Sequence, residues 1–163
     1  MSRNQTKEQH SIRGDSYIKK LEDLRNESRG WSVLEQMELN KEISGDVLKR
    51  LFDSYGDRFI DALKTVLEVR VKRYIFKPSN FTLWIVVGRH GDYVIFSDIY
   101  CSCFDFFMSV ILRKDNHTCY HILAKKIAEA LGIYETFILP DTKYKKLIEE
   151  WKTITLSEKI RRE

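Results

Sequence analysis

The chain has 163 residues, 43% hydrophobic and 12% aromatic, which suffices for one domain with a core that need not lean on a metal throughout. A formal net charge of +4 with 32% charged residues permits contact with nucleic acid but excludes a histone-like polycation. No stretch reaches the roughly 18 apolar residues of a spanning helix, and Met1-Ser2-Arg3-Asn4-Gln5 lacks the apolar segment of a secretion signal, so an intracellular protein with no membrane partner is expected.

Residues 1–30 form a polar arm. Asp15-Ser16 can cap a short helix with Ile18, Leu21 and Leu24 on one side; the alternative is a disordered arm. A single domain then runs over 31–155, followed by a charged tail over 156–163. After Trp31, Ser32 and Glu35 have the spacing of a capping box. Ser44-Gly45-Asp46 starts a helix carrying Val47, Leu48, Leu51, Phe52 and Tyr55, which Gly56 stops. Asp57 opens another, with Phe59, Ile60, Leu63, Val66 and Leu67 on its buried side, giving a helical hairpin.

From Val69 the period changes. Val69–Phe76 is rich in β-branched and aromatic residues and ends at Pro78. Thr82–Val87 is a second strand, Gly88–Asp92 a turn and Tyr93–Phe96 a third strand. This three-stranded antiparallel meander leads into Cys101. Phe104–Leu112 is apolar nearly all round and reads as a short helix, either buried between layers or presenting one side to a partner. His121 begins a helix over Ile122–Leu131, with Leu123, Ile127, Ala130 and Leu131 inward and Lys125, Lys126 and Glu129 outward, ended by Gly132. Tyr134–Leu139 is extended up to Pro140. Asp141-Thr142 caps a final helix with Tyr144, Leu147, Ile148 and Trp151. The fold class is α+β. Scarce glutamine beside abundant Lys, Ile and Glu leans toward a heat-adapted source.

All three cysteines lie in one window, Cys101-Ser102-Cys103 and Cys119-Tyr120-His121. Structural Zn²⁺ takes four ligands from Cys thiolate and His nitrogen, and Cys₃His is one of its usual sets. Side chains two apart on a strand point the same way, so Cys101 and Cys103 can face one ion. Cys119 and His121 at a helix start can meet them. An odd cysteine number with a partner His suits a metal in a reducing compartment better than a disulfide scaffold.

Three alternatives are weighed. Buried free cysteines can be small core hydrophobes, but that leaves the paired spacing without a reason. A catalytic thiol with a His base leaves two cysteines without a role, and no Gly-rich elbow or orienting acid accompanies it. His117 rivals His121 for the fourth position. His10 and His90 read as solvated arm and turn residues. A closed four-ligand site leaves no open position for zinc catalysis. No P-loop, dinucleotide-binding glycine pattern or spaced carboxylate motif is present, so no enzyme and no small-molecule substrate are expected. Three thiolates and a neutral His leave a zinc complex with a net charge of about −1, which Arg113, Lys114, Lys125 and Lys126 can offset.

Cys101-x-Cys103…Cys119-x-His121 resembles the SWIM zinc-binding motif, C-x-C-x(n)-C-x-H. Ala124 follows His121 by three, as in the C-x-H-x-x-A variant of the SWIM proteins of the Shu complex. Phe106 and Ser109-Val110 also resemble that family, and the likeness covers roughly residues 44–135. It implies a SWIM-type domain holding one structural Zn²⁺. It further implies a small non-catalytic subunit that pairs with a RecA-type recombinase paralog and promotes recombinase assembly on single-stranded DNA during homologous recombination and DNA repair. On that reading Phe104, Phe106, Phe107 and Val110 are candidate partner-surface residues, with plain core as the alternative. The competing function is an autonomous nucleic-acid-binding zinc finger, with Arg113, Lys114, Lys125 and Lys126 as contacts. Further basic clusters at Arg70-Lys72-Arg73 and Lys143-Lys145-Lys146 permit it. Ordinary solvated surface is the plainer reading, because Asp and Glu nearly balance these charges and few aromatics interleave with them.

Overall fold

Ser44 opens the first helix of the hairpin, α1 (Gly45–Tyr55), from an extended backbone, and its Oγ accepts the Val47 N–H at 3.3 Å, satisfying one donor of the first turn. This computed structural model describes residues 30, 32–36, 44–88 and 90–151. The helix expected around Ile18–Leu24, Trp31 and the tail 156–163 therefore lie outside the described residues. Gly30 is already helical, so Ser32 sits within that turn and does not cap it. Gly30 packs against the Tyr55 ring with no room for a Cβ.

Gly56, at φ 57°, ends α1 and donates its N–H to the Phe52 carbonyl. The second helix, α2 (Asp57–Leu67), follows at once and buries Phe59, Ala62 and Val66 along one stripe. Its exit differs from expectation. Val69 lies in the left-handed region at φ 53°. Its N–H donates to the Val66 carbonyl at 2.9 Å, and that of Arg70 to the Thr65 carbonyl at 3.1 Å. This is a Schellman ending with valine where glycine is usual. Two residues expected in the first strand are used to stop the helix, so β1 spans Val71–Lys77.

β2 (Thr82–Gly88) and β3 (Gly91–Phe96) complete the antiparallel meander, with Arg73 opposite Trp84 and Trp84 opposite Ile95. The sheet is larger than the three strands expected. β4 (Tyr100–Cys101) adds antiparallel to β3, and β5 (Glu135–Pro140) adds parallel to β1, giving the order β4-β3-β2-β1-β5. Tyr134–Leu139 was legible as extended, but nothing local in it names β1 as neighbour. A parallel pairing needs a crossover, here supplied by everything from β2 to the helix α3 (Tyr120–Leu131).

The sheet separates two cores. On one face α1, α2 and α3 pack over Val71, Trp84, Val86, Tyr93 and Ile95. On the other, Phe76, Leu83, Ile85 and Val94 meet Trp151 of α4, a helix described over residues 144–151. Asp141, expected to cap that helix, instead accepts from the Ser79 N–H at 3.1 Å and Oγ at 2.8 Å. A carboxylate satisfied by the β1–β2 connection ties the C-terminal helix to the sheet.

Candidate metal centre

Cys101 is carried by β4 opposite Ile95. The following Ser102 is pinned to β3 twice: its N–H donates to the Val94 carbonyl at 3.0 Å, and its Oγ accepts the Val94 N–H at 3.0 Å. The extended backbone around Ser102 turns Cys101 and Cys103 to the same side. The Cys103 Sγ also accepts the Phe106 N–H at 3.2 Å. The second pair comes from α3. Cys119 is the extended residue before its first turn, and His121 lies in that turn. Arg58 on α2 donates to the Thr118 carbonyl at 3.0 Å, fixing the approach to Cys119.

The ligand atoms of Cys101, Cys103, Cys119 and His121 all lie within 4.8 Å of one another, and all four residues are buried. Two sulfurs bound tetrahedrally to zinc at 2.3 Å sit about 3.8 Å apart, so the spacing fits one ion. A second observation agrees. Both His121 ring nitrogens are buried without a hydrogen-bond partner among the described residues. A neutral imidazole ordinarily satisfies a donor and an acceptor, and a metal bond would satisfy one of these nitrogens.

Thiol chemistry points the same way. Burial pushes the Cys101 thiol well above its usual range. At Cys119 burial also opposes ionisation, but the neighbouring thiols of Cys101 and Cys103 and the His121 imidazole outweigh it and hold the group well below that range. The burial that opposes ionisation of these thiols is what a bound cation would offset. The donor set fits zinc.

His121 is held by aromatic packing. Its ring centroid lies 4.1 Å from that of Tyr93 and 3.8 Å from that of Tyr120. Gly88 closes the third side. A Cβ there would stand 2.5 Å from Tyr93 Cε2 and 2.8 Å from His121 Nε2, so the site uses its missing side chain. Gly88 and Tyr93 read only as turn and strand in the sequence, because nothing local announces that His121, 33 positions beyond Gly88 and 28 beyond Tyr93, will land on them. Ala124 is fully buried one turn beyond His121. His117 and His90 are exposed, and His117 lies outside the cluster; His10 is outside the described residues.

The segment between the ligand pairs winds as a π-helix over Phe106–Leu112, a form often met at functional sites. Ser109 is buried there and donates to Asp105 Oδ1 at 2.7 Å. Phe106 is buried beneath Tyr100, their rings 5.8 Å apart, and Val110 is half-buried against the core. Phe104, Phe107, Ile111 and Leu112 are about half exposed, as is Tyr100, and Ile99 is 81% exposed. The four expected partner-surface residues therefore divide, with Phe104 and Phe107 at the surface and Phe106 in the core.

The basic residues divide too. Arg113 pairs with Asp115 at 3.2 Å and Lys114 is exposed. Lys126 is half-buried and pairs with Asp98 at 3.0 Å. Lys125, expected to face outward, is 5% exposed. Its ammonium lies 2.9 Å from Asp98 Oδ1, beside Glu129 Oε2, and 5.1 Å from the Trp84 ring centre. A helix stripe pattern assigns Lys125 to solvent; the Asp98 carboxylate draws it in, since a buried charge must be paired.

The chain is similar to a zinc finger SWIM domain-containing protein 7 homolog of Dictyostelium discoideum, 29% identical over 108 residues that make up 65% of this chain and 69% of the relative. No family model matches the chain. No solved structure matches it. The buried Cys/His cluster and the SWIM relative together support a zinc-binding protein of SWIM type.

Proposed function

We propose that this chain is a non-catalytic subunit built on one structural zinc, which pairs with a RecA-type recombinase paralog and promotes recombinase assembly on single-stranded DNA during recombination and repair. The observation that carries the reading is the buried Cys101, Cys103, Cys119, His121 cluster with its partnerless imidazole. The motif's likeness to Shu-type SWIM proteins, with Ala124 in place, supplies the biological role. Zinc bound by these four residues would cross-link β4 to α3 and offset thiolate charge that the core otherwise opposes. Between the ligand pairs it would brace the π-helix and the turn before it, whose outward Phe104, Phe107, Ile111 and Leu112 suit a protein partner. A braced apolar face loses little ordering entropy on binding.

Metal analysis of the purified chain should give one zinc per molecule, lost in Cys119→Ser. Affinity purification from the native host should recover a RecA-type ATPase at near-equal amount. A metal-free chain of unchanged stability would overturn the zinc reading. Recovery of the chain alone, with tight and salt-sensitive DNA binding, would replace the assembly subunit by an autonomous nucleic-acid-binding domain.

A further inference from the structure

The two ligand pairs are joined by more than their own donor atoms. Three residues before Cys101, the β3–β4 connection places Ser97 in the left-handed region at φ 52° and presents Asp98. Its Oδ1 lies 2.9 Å from Lys125 Nζ and its Oδ2 3.0 Å from Lys126 Nζ. Both lysines stand on α3, within two turns of His121. One carboxylate on the strand side thus grips two ammonium groups on the helix side. Lys125 is closed in by Glu129 from the next turn and by the Trp84 ring. Burial alone would push the Asp98 carboxyl up, yet the hydrogen bonds from Lys125 and Lys126 more than offset it and hold the group below the usual carboxylate range.

We propose that Asp98, with Lys125 and Lys126, is a latch that positions the metal centre, holding the Cys101/Cys103 segment against the Cys119/His121 helix before the ion arrives. This rests on the zinc reading above. The latch residues act through the ligands and are positioning residues. Both lysines are engaged by carboxylates, Lys125 by Asp98 and Glu129 and Lys126 by Asp98. Zinc binds only the closed arrangement, so its apparent affinity scales with the fraction of folded molecules in which the two segments are together. Opening the latch lowers that fraction without removing a ligand.

The test is zinc affinity, measured by competition with a chromophoric chelator on the full chain, for wild type, Asp98→Asn, Lys125→Met and the double variant. The double variant leaves no unpaired buried ammonium, so it keeps the test meaningful where Lys125→Met or Asp98→Asn alone folds poorly. Each variant is expected to bind zinc about 10- to 100-fold more weakly, the usual scale for residues that orient metal ligands. The cobalt-loaded forms should keep the thiolate-to-metal absorption of an intact Cys₃His set.

The signs of the two single variants decide the mechanism. If the lysines served only to offset thiolate charge, Asp98→Asn, which makes the site more positive, would tighten zinc while Lys125→Met weakened it. That opposition would overturn the latch. So would affinity unchanged in all variants with thermal stability lowered equally in zinc-free and zinc-loaded protein, the signature of ion pairs uncoupled from the metal. A wild-type chain that takes up no zinc would sink the zinc reading itself, whereas tight binding untouched by the variants sinks only the latch.

Discussion

Gly88 is where one absent methyl group bears on the metal. Its φ lies outside the left-handed region, so the backbone there would accept another residue. The reason for glycine is the room taken by the Tyr93 and His121 rings. Gly88→Ala is therefore expected to displace the imidazole, weakening zinc at least about tenfold and lowering stability by about 1–3 kcal/mol through overpacking. Chelator competition and thermal unfolding check both. Unchanged zinc affinity would mean that the Tyr93 ring alone gives way. The Cys/His cluster itself was legible in the sequence, because paired spacing and residue type constrain each other strongly. The rings and the glycine around His121 were not, for they are brought there by the approach of α3 to the β2–β3 hairpin, which no local pattern encodes. Lys125 shows the reverse error: its position on the helix was read correctly and its surroundings were not.

Helices were legible where their caps are written in residues of strong preference. Ser44, Gly56 and Gly132 each sit at the boundary expected, and Gly132 takes φ 70° at the end of α3. The end of α2 was not legible, since a β-branched residue at φ 53° goes against its own preference. The left-handed conformation costs such a residue about 1–2 kcal/mol, and Val69 is 44% exposed, so little packing repays it. Val69→Gly should raise stability by roughly 0.5–1 kcal/mol after glycine's extra unfolded-state entropy is deducted. Chemical denaturation measures this, and a loss of stability would show that the valine side chain packs better than its exposure suggests. Phe104–Leu112 is the converse case. Its helical character was legible, but its apolar circumference hid which residues turn outward, because a π-helix advances its faces differently from the 3.6-residue period.

For the molecule as a whole, the sheet divides labour. One face holds the helical hairpin, α3 and the Cys/His cluster; the other holds α4 under a separate apolar cluster. The outward side of the π-helix belongs to neither core. Replacing Phe104 and Phe107 together by Asp should accordingly change stability by less than about 0.5 kcal/mol while, on the function proposed above, abolishing recovery of a RecA-type ATPase. Phe106→Ala should cost about 3–5 kcal/mol. Co-purification and thermal unfolding, run side by side, separate the two, and a double Asp variant that still recovers the ATPase would remove this face from the proposed interface. The α+β class and the meander were legible from the change of period near residue 70. The mixed five-stranded order was not, because the β1–β5 pairing joins segments with residues 78–134 between them, and distant pairing leaves no periodic trace.

That pairing has a consequence for how the molecule is made. A ribosome delivers α1, α2 and the meander well before residue 135, and throughout that interval β1 has only β2 beside it. Its other margin, from Lys72 to Lys77, stays open as an unpaired template for any passing strand. The cysteine window emerges during the same interval. β5 can close the sheet only after the helix carrying His121 has been synthesised, so the last strand seals a nascent chain whose four donor residues are already outside.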